Sequence, residues 1–223
     1  MRLAALVSGG KDGAYAAHVA RMAGHEIACA VTALPASAED MLWHHPNARH
    51  AALHARAMGV PLVEFGPSGG AGLAGALREA AREHGVEGVV HGGLASAHQR
   101  DAFGAAAAAA GMRAIAPLWG RGGVAYLREV IGAGFRFVVV SVSAGGLGPE
   151  WLGAEVTRER AEGIGRLAAE FGFEASFEGG EAETFVVSCP LYSRDVEIRR
   201  ARASWDGYRG SLEIEDAALR ARA

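Results

Sequence analysis

Ser8-Gly9-Gly10-Lys11-Asp12-Gly13 is the segment whose residue types and spacing could do chemistry together. It follows directly on the apolar run Leu3–Val7, which reads as a buried strand. It leads into a pattern with Tyr15, His18, Val19 and Met22 on one face, the mark of a helix from about Asp12 to Ala23. Two glycines let the main chain approach an anion with its N–H groups, and the start of a helix adds partial positive charge. Ser8 offers a hydroxyl and Lys11 an ammonium to anionic oxygens. Asp12 is placed to cap the helix or to sit beside a bound Mg²⁺. An ordinary strand-to-helix turn also uses glycine and a capping aspartate, but this composition predicts only ~0.006 chance occurrences of Ser-Gly-Gly-x-Asp. Lys11 is the only lysine among 22 basic residues. A compact ammonium and a planar guanidinium are not interchangeable at a crowded phosphate.

Other groups carry less. Gly70-Ala71-Gly72-Leu73-Ala74-Gly75 matches G-x-G-x-x-G, but ~0.6 such matches arise by chance here, and this one follows the third strand instead of the first. No Walker A string is present. Glu181 and Glu183 point the same way if the chain is extended, where they could bind a cation, an ammonium or a ribose; a solvated strand face is the bland alternative. Adjacent His44 and His45 are ordinary loop residues, and no histidine pair has HExxH spacing. His91 ends a strand near the cleft, within reach of a nucleotide. Cys29 and Cys189 match no zinc or CxxC spacing and read as reduced core thiols.

The elements that must position these residues alternate. Strands at Leu3–Val7, Glu26–Thr32, Pro61–Phe65, Val86–His91 and Arg113–Pro117 are separated by helices, and the run Phe135–Val142 is a further strong strand. This rhythm predicts an α/β fold: an open parallel sheet with helices on both faces over residues 1–145. After Gly148 a long helix, about Glu155–Phe171, precedes β-rich segments near Glu183–Ser188 and Asp195–Ala201, so 146–223 reads as a smaller α+β lobe. In such a sheet ligands bind outside the carboxyl ends of the strands. Thr32 and Gly92, at the ends of the second and fourth strands, are therefore further nucleotide-contact candidates. The formal net charge is −3, which gives no basic field for nucleic acid. No apolar run reaches the ~20 residues of a membrane span or the core of a signal peptide. The expected location is the cytoplasm.

Taken in order, the motifs become recognisable. SGGKDG after the first strand resembles the PP-loop of N-type ATP pyrophosphatases. Trp43-His44-His45-Pro46-Asn47 is similar to the MFHTPN segment of the diphthine–ammonia ligase family. Glu87-Gly88-Val89-Val90-His91-Gly92-Gly93 with Ser96, Gln99 and Arg100 resembles that family's EGVVxGAIxSxYQR stretch, and Pro117-Leu118-Trp119 and Trp151-Leu152-Gly153 are also similar. Glu178-Gly179-Gly180-Glu181-Ala182-Glu183-Thr184 resembles its EGGEYET motif. The resemblance covers about residues 3–198.

It implies an adenine nucleotide alpha hydrolase-like PP-loop fold and an enzyme that uses ATP and Mg²⁺ to adenylate a carboxylate, releases pyrophosphate, and lets ammonia displace AMP to form an amide. In archaea and eukaryotes that family's substrate is diphthine on translation elongation factor 2, so a carboxylate carried on an elongation factor is the implied partner. Ser8, Gly9, Gly10, Lys11, Asp12 and Gly13 would hold the phosphates, with Lys11, Asp12, Glu181 and Glu183 as catalytic candidates. His44, Asn47, Gln99 and Arg100 would line the substrate pocket. The chain departs from the pattern at Gly13 (normally serine), Ala182 (tyrosine), Ala102 (arginine) and Gly104 (glutamate). These losses motivate the alternative of a nucleotide-binding sensor or adaptor without ligase turnover. A tRNA-modifying PP-loop enzyme is a third alternative, opposed by the lack of a basic patch or metal-binding cysteine set. The oligomeric state, a homo-oligomer included, is left open.

Overall fold

A computed structural model describes residues 1–34, 47–66 and 69–222. The first half runs β1 (Arg2–Leu6), α1 (Lys11–Met22), β2 (Glu26–Ala33), α2 (Ala51–Met58), β3 (Leu62–Phe65), α3 (Gly69–His84), β4 (Gly88–Val90), α4 (Ala97–Ala109) and β5 (Arg113–Ile115). Its strands form one parallel sheet in the order β3-β2-β1-β4-β5. The second half runs α5 (Gly123–Gly132), β6 (Arg136–Val142), α6 (Arg158–Phe171), β7 (Ala182–Ser188), β8 (Arg194–Trp205) and β9 (Gly210–Ala221). Its strands form a separate antiparallel sheet in the order β7-β6-β9-β8.

β1 is apolar without interruption because both its faces are covered, as parallel strands require. Ala4 and Leu6 pack with Leu73, Leu77, Phe103 and Ala107 of α3 and α4. Leu3, Ala5 and Val7 pack on the other side with the small side chains of α1 and with Phe135, Phe137 and Phe185 of the second half. Alanines at 14, 16, 17 and 20 let α1 lie close against the sheet. The helices stop and start where the sequence dictates. Gly59 and Gly172 close α2 and α6 in the left-handed conformation, at φ +72° and +74°. Ser96 and Thr157 cap α4 and α6 through their hydroxyls.

The open parallel sheet, its helices and the C-terminal α+β lobe stand as expected. The strand anticipated at Phe135–Val142 does not belong to the parallel sheet, however: β6 pairs antiparallel with β7 and β9. The change of sheet thus falls between β5 and β6, upstream of residue 145. β9 was not anticipated, and it fills the place between β6 and β8. The second glycine motif lies within α3, which begins at Gly69, so it forms no strand-to-helix phosphate loop. Among the described residues no helix is long and apolar enough to cross a membrane.

β1 is central, and the chain builds outward to β2 and β3 before crossing to β4 on its other side. The crevice between the loops that follow β1 and β4 is therefore the topological switch point, where open α/β sheets bind ligands.

Candidate functional site

The loop after β1 is shaped by what presses on it. Gly9 has φ +96°, and a Cβ there would lie 2.9 Å from His54 Nε2. Its carbonyl accepts the Val186 N–H of β7 at 2.9 Å. Lys11 N–H, the first donor of α1, is taken by Thr184 Oγ1 at 3.1 Å. β7 thus reaches across from the second sheet to fix the loop. Gly13 is required by packing: a Cβ at that position would meet the Leu6 carbonyl oxygen at 2.6 Å. The absent serine is therefore a side chain this backbone leaves no room for. Gly92, expected near the nucleotide, presses its main chain on the same loop, with a Cβ falling 2.4 Å from Asp12 C and 2.5 Å from Gly13 N.

Lys11 is 1 % exposed. Its Nζ sits 3.0 Å from Asp12 Oδ2 and lies 5.5 Å and 5.9 Å from the ring centroids of Phe177 and Tyr126. The hydroxyl of Tyr126 donates to Asp12 Oδ1 at 2.6 Å, so both oxygens of Asp12 are engaged. Burial, and then the neighbouring Asp12 carboxylate, raise the Tyr126 phenol well above its ordinary value. Burial pushes Glu183 up to about 8; the Lys11 ammonium draws it down and Asp12 adds to the rise. The chemistry gathered at the start of α1 is one buried ammonium, one carboxylate and one carboxyl that ionises near neutrality. Asp12 and two aromatic rings enclose the Lys11 ammonium, so the loop does not present it bare to solvent.

The paired glutamates divide their work. Glu183 belongs to the cluster around Lys11. Glu181 Oε1 instead accepts the Glu174 N–H at 3.1 Å, while its Oε2 is buried with no hydrogen-bond partner among the described residues. Gln99 is half-buried in the first turn of α4, its N–H donating to Ser96 Oγ at 3.3 Å. Arg100 is exposed and stacks 4.4 Å from the Trp119 ring centroid. Trp119 is 38 % exposed. Thr32 is fully buried in β2 with its hydroxyl 3.5 Å from the Ala33 carbonyl. Ser8 and Gly10 are half-buried at the turn. His44 lies outside the described residues.

Asn47 departs from its expected pocket role. It is fully buried, its Nδ2 donates to Leu212 O at 3.0 Å, and its Oδ1 accepts from Ile214 N at 2.8 Å. It brackets β9, because a primary amide reproduces the donor–acceptor pair of a neighbouring strand. His91 is 1 % exposed. Its Nδ1 accepts the Gly93 N–H at 3.2 Å, its Nε2 is buried without a hydrogen-bond partner among the described residues, and burial holds it down to about 4.

Sequence reasoning missed Tyr126, Phe177, Thr184 and Glu178. Thr184 and Glu178 bound the EGGEAET string and so had a signal. Tyr126 and Phe177 had none, since each comes to Lys11 only through tertiary packing. Among the described residues no group of three or more His, Cys, Asp or Glu side chains is arranged to hold a metal.

The family model described as Diphthamide synthase N-terminal domain matches residues 1–114, and that described as Diphthamide synthase C-terminal domain matches residues 123–219. The diphthine–ammonia ligase of Danio rerio is 31% identical over 220 residues, covering 89% of this chain and 86% of the relative. That of Homo sapiens is 28% identical over 221 residues, covering 89% and 83%. A solved structure, described as a predicted subunit of tRNA methyltransferase from Methanocaldococcus jannaschii DSM, aligns with 85% of this chain and 98% of its own at 16% identity and TM-score 0.40. With both domain models matched in order and these two relatives covered over 83% and 86% of their length, the chain belongs to the diphthine–ammonia ligase family.

Proposed function

We propose that this chain is an ATP-dependent, AMP-forming ligase that activates a substrate carboxylate at the mouth of β1 and amidates it with ammonia. The observation that carries the reading is the Lys11–Asp12–Glu183 cluster, gathered at the start of α1 beside the switch point in a chain of this family.

In the first step a carboxylate oxygen attacks the α-phosphorus of ATP, and the bond to the β-phosphate oxygen breaks with its electron pair on pyrophosphate. Charge on that leaving group is met by the Lys11 ammonium, which exchanges part of its contact with Asp12 for phosphate oxygens. Enclosure by Phe177 and Tyr126 strengthens the attraction by excluding water. Asp12 and Gly13 add the unshared N–H groups of a helix's first turn. Asp12 fits the single carboxylate that Mg²⁺ takes where phosphates supply its other ligands, since a carboxylate keeps lone pairs beyond those used by Lys11 and Tyr126. Mg²⁺, when bound, supplies further neutralisation of the polyphosphate. In the second step ammonia attacks the acyl carbon, the acyl–oxygen bond breaks with its pair on AMP, and the nitrogen sheds a proton. Glu183, with its proton affinity near neutrality, is the group that accepts it. By its family the substrate carboxylate is diphthine-like and carried on a translation factor.

The test is incubation with ATP, Mg²⁺, ammonium and a diphthine-bearing acceptor, with AMP and pyrophosphate measured together. Lys11→Met keeps the volume, removes the charge and is expected to abolish both products; undiminished AMP in that variant would remove Lys11 from the reaction. A second reading, nucleotide binding without turnover, is favoured by the ion pair that already occupies Lys11 and by the Phe177 cover above it. Tight binding with ATP recovered intact after long incubation would establish that second reading.

A further inference from the structure

The segment between α6 and β7 holds the mouth of the first sheet at three points. Glu174 Oε1 accepts the Gly123 N–H at 2.7 Å, at the start of α5. Phe177 lies over Lys11 and is the only non-glycine residue with positive φ among the described residues, at +68°. For a bulky side chain that conformation is an outlier held in place by its surroundings. Glu178 Oε1 accepts three consecutive main-chain N–H groups, those of Leu94, Ala95 and Ser96, at 3.1, 2.9 and 2.9 Å.

The place of those three donors gives Glu178 its reach. They lie in the loop between β4 and α4, whose Leu94 is fully buried and accepts the Gly120 N–H through its carbonyl at 2.8 Å. Two residues before Leu94 is Gly92, whose main chain abuts Asp12 and Gly13 with no room for a Cβ. One carboxylate oxygen is thus connected, through a loop of few residues, to the floor of the phosphate loop. Hydrogen bonds from N–H groups to an ionised carboxylate are about twice as strong as neutral ones, and the start of α4 adds its own attraction.

We propose that Glu178 is a positioning residue for the nucleotide site: by gathering the N–H groups of Leu94–Ser96 it sets the 91–96 loop, and through Gly92 the phosphate loop, in the geometry that binds ATP. This rests on the reading of Ser8–Gly13 as the nucleotide site. Glu178→Ala leaves three donors at the start of α4 unsatisfied and frees the loop. Glu178→Gln keeps an acceptor oxygen without the charge and therefore retains part of the effect. The opposing arrangement is a plug, in which Glu178 blocks an anion site that a ligand would otherwise occupy.

The experiment uses the full chain as wild type, Glu178→Ala, Glu178→Gln and Glu174→Ala. ATP affinity is measured by calorimetry with and without added formate, and amide hydrogen exchange is followed at residues 8–13 and 94–96. Glu178→Ala is expected to weaken ATP by about tenfold or more, with formate, but not an equal concentration of chloride, restoring affinity by refilling the nest. Glu178→Gln should fall between the two. Glu174→Ala, which releases the same segment at α5, should show no formate response. Faster exchange at 8–13 as well as 94–96 in Glu178→Ala supports positioning without reference to activity. Unchanged exchange at 8–13, ATP binding equal to or tighter than wild type, or a loss that formate leaves untouched would each overturn the proposal. Failure of the wild type to bind ATP, with the exchange result intact, overturns the functional reading instead.

Discussion

Tyr126 donates its hydroxyl to Asp12 Oδ1 at 2.6 Å, joining residues 114 apart in the chain and tying α5 to the mouth of β1. Because Asp12 also holds Lys11, the phenol sets where the ammonium rests. Tyr126→Phe keeps the ring against Lys11 and removes this one bond. We expect a stability loss of about 1.5–3 kcal/mol, the net worth of a bond to a charged group, with an effect on ligation beside it: a severalfold rise in KM for ATP or fall in kcat. Steady-state pyrophosphate release and a thermal melt check it together; a melt that falls with unaltered kinetics would show the bond to be purely structural.

Glu183 yields a prediction about pH. Its carboxyl is pushed up by burial to about 8 from an ordinary 4.5. A group that binds its proton more tightly when folded makes the folded chain the more protonated state, so stability declines as pH rises from about 4.5 to about 8. Glu183→Gln cannot ionise and should flatten that part of the stability curve, becoming the more stable protein at pH 8. At constant free-ammonia concentration the amide-forming rate should rise through about pH 8 in the wild type and lose that limb in the variant. Denaturant melts across the range, beside single-turnover amide formation from preformed adenylate, separate the two effects. An unchanged stability slope would mean that Glu183 is not the buried titrating group.

Much of this was legible in the sequence, and the reasons it stopped are physical. The proposed phosphate loop stands out because glycine, lysine and a helix start are local requirements, met within six residues. The parallel strands are legible because burial on both faces leaves apolar runs such as Leu3–Leu6. The destination of β6 is not, since Phe137–Val140 is equally apolar in either sheet, and only its pairing with β7 and β9 decides. Asn47 shows the same limit at the level of one side chain. Its amide suits a ligand or a strand edge equally well, and tertiary structure brings β9 to it from 165 residues away. Lys11 stands out in the sequence, yet its enclosure by Tyr126 and Phe177 has no trace in the residues around it.

His91 makes an opposite prediction about acid. Burial holds its imidazole down to about 4 from an ordinary 6.5. The unfolded chain therefore binds the extra proton first, and stability is lost as pH falls from about 6.5 to about 4, by about 3 kcal/mol if this group acts alone. His91→Asn keeps an acceptor for the Gly93 N–H and removes the titration, so the variant should lose less stability than wild type over that window. Urea midpoints at successive pH values read the difference directly. Parallel curves for the two proteins would place the acid sensitivity elsewhere.

Asn47 separates a structural role from a ligand role. Asn47→Ala removes the donor to Leu212 O and the acceptor from Ile214 N, leaving two buried main-chain groups of β9 without these partners. Each such group costs about 1–3 kcal/mol, so a combined loss of about 2–6 kcal/mol is expected. At this chain length that lowers Tm by roughly 4–24 °C. Below the new midpoint the folded enzyme should keep its KM for ATP and for the carboxylate substrate, because both functions of the amide face β9. A substrate KM raised severalfold with Tm intact would return Asn47 to the pocket in which its motif first placed it.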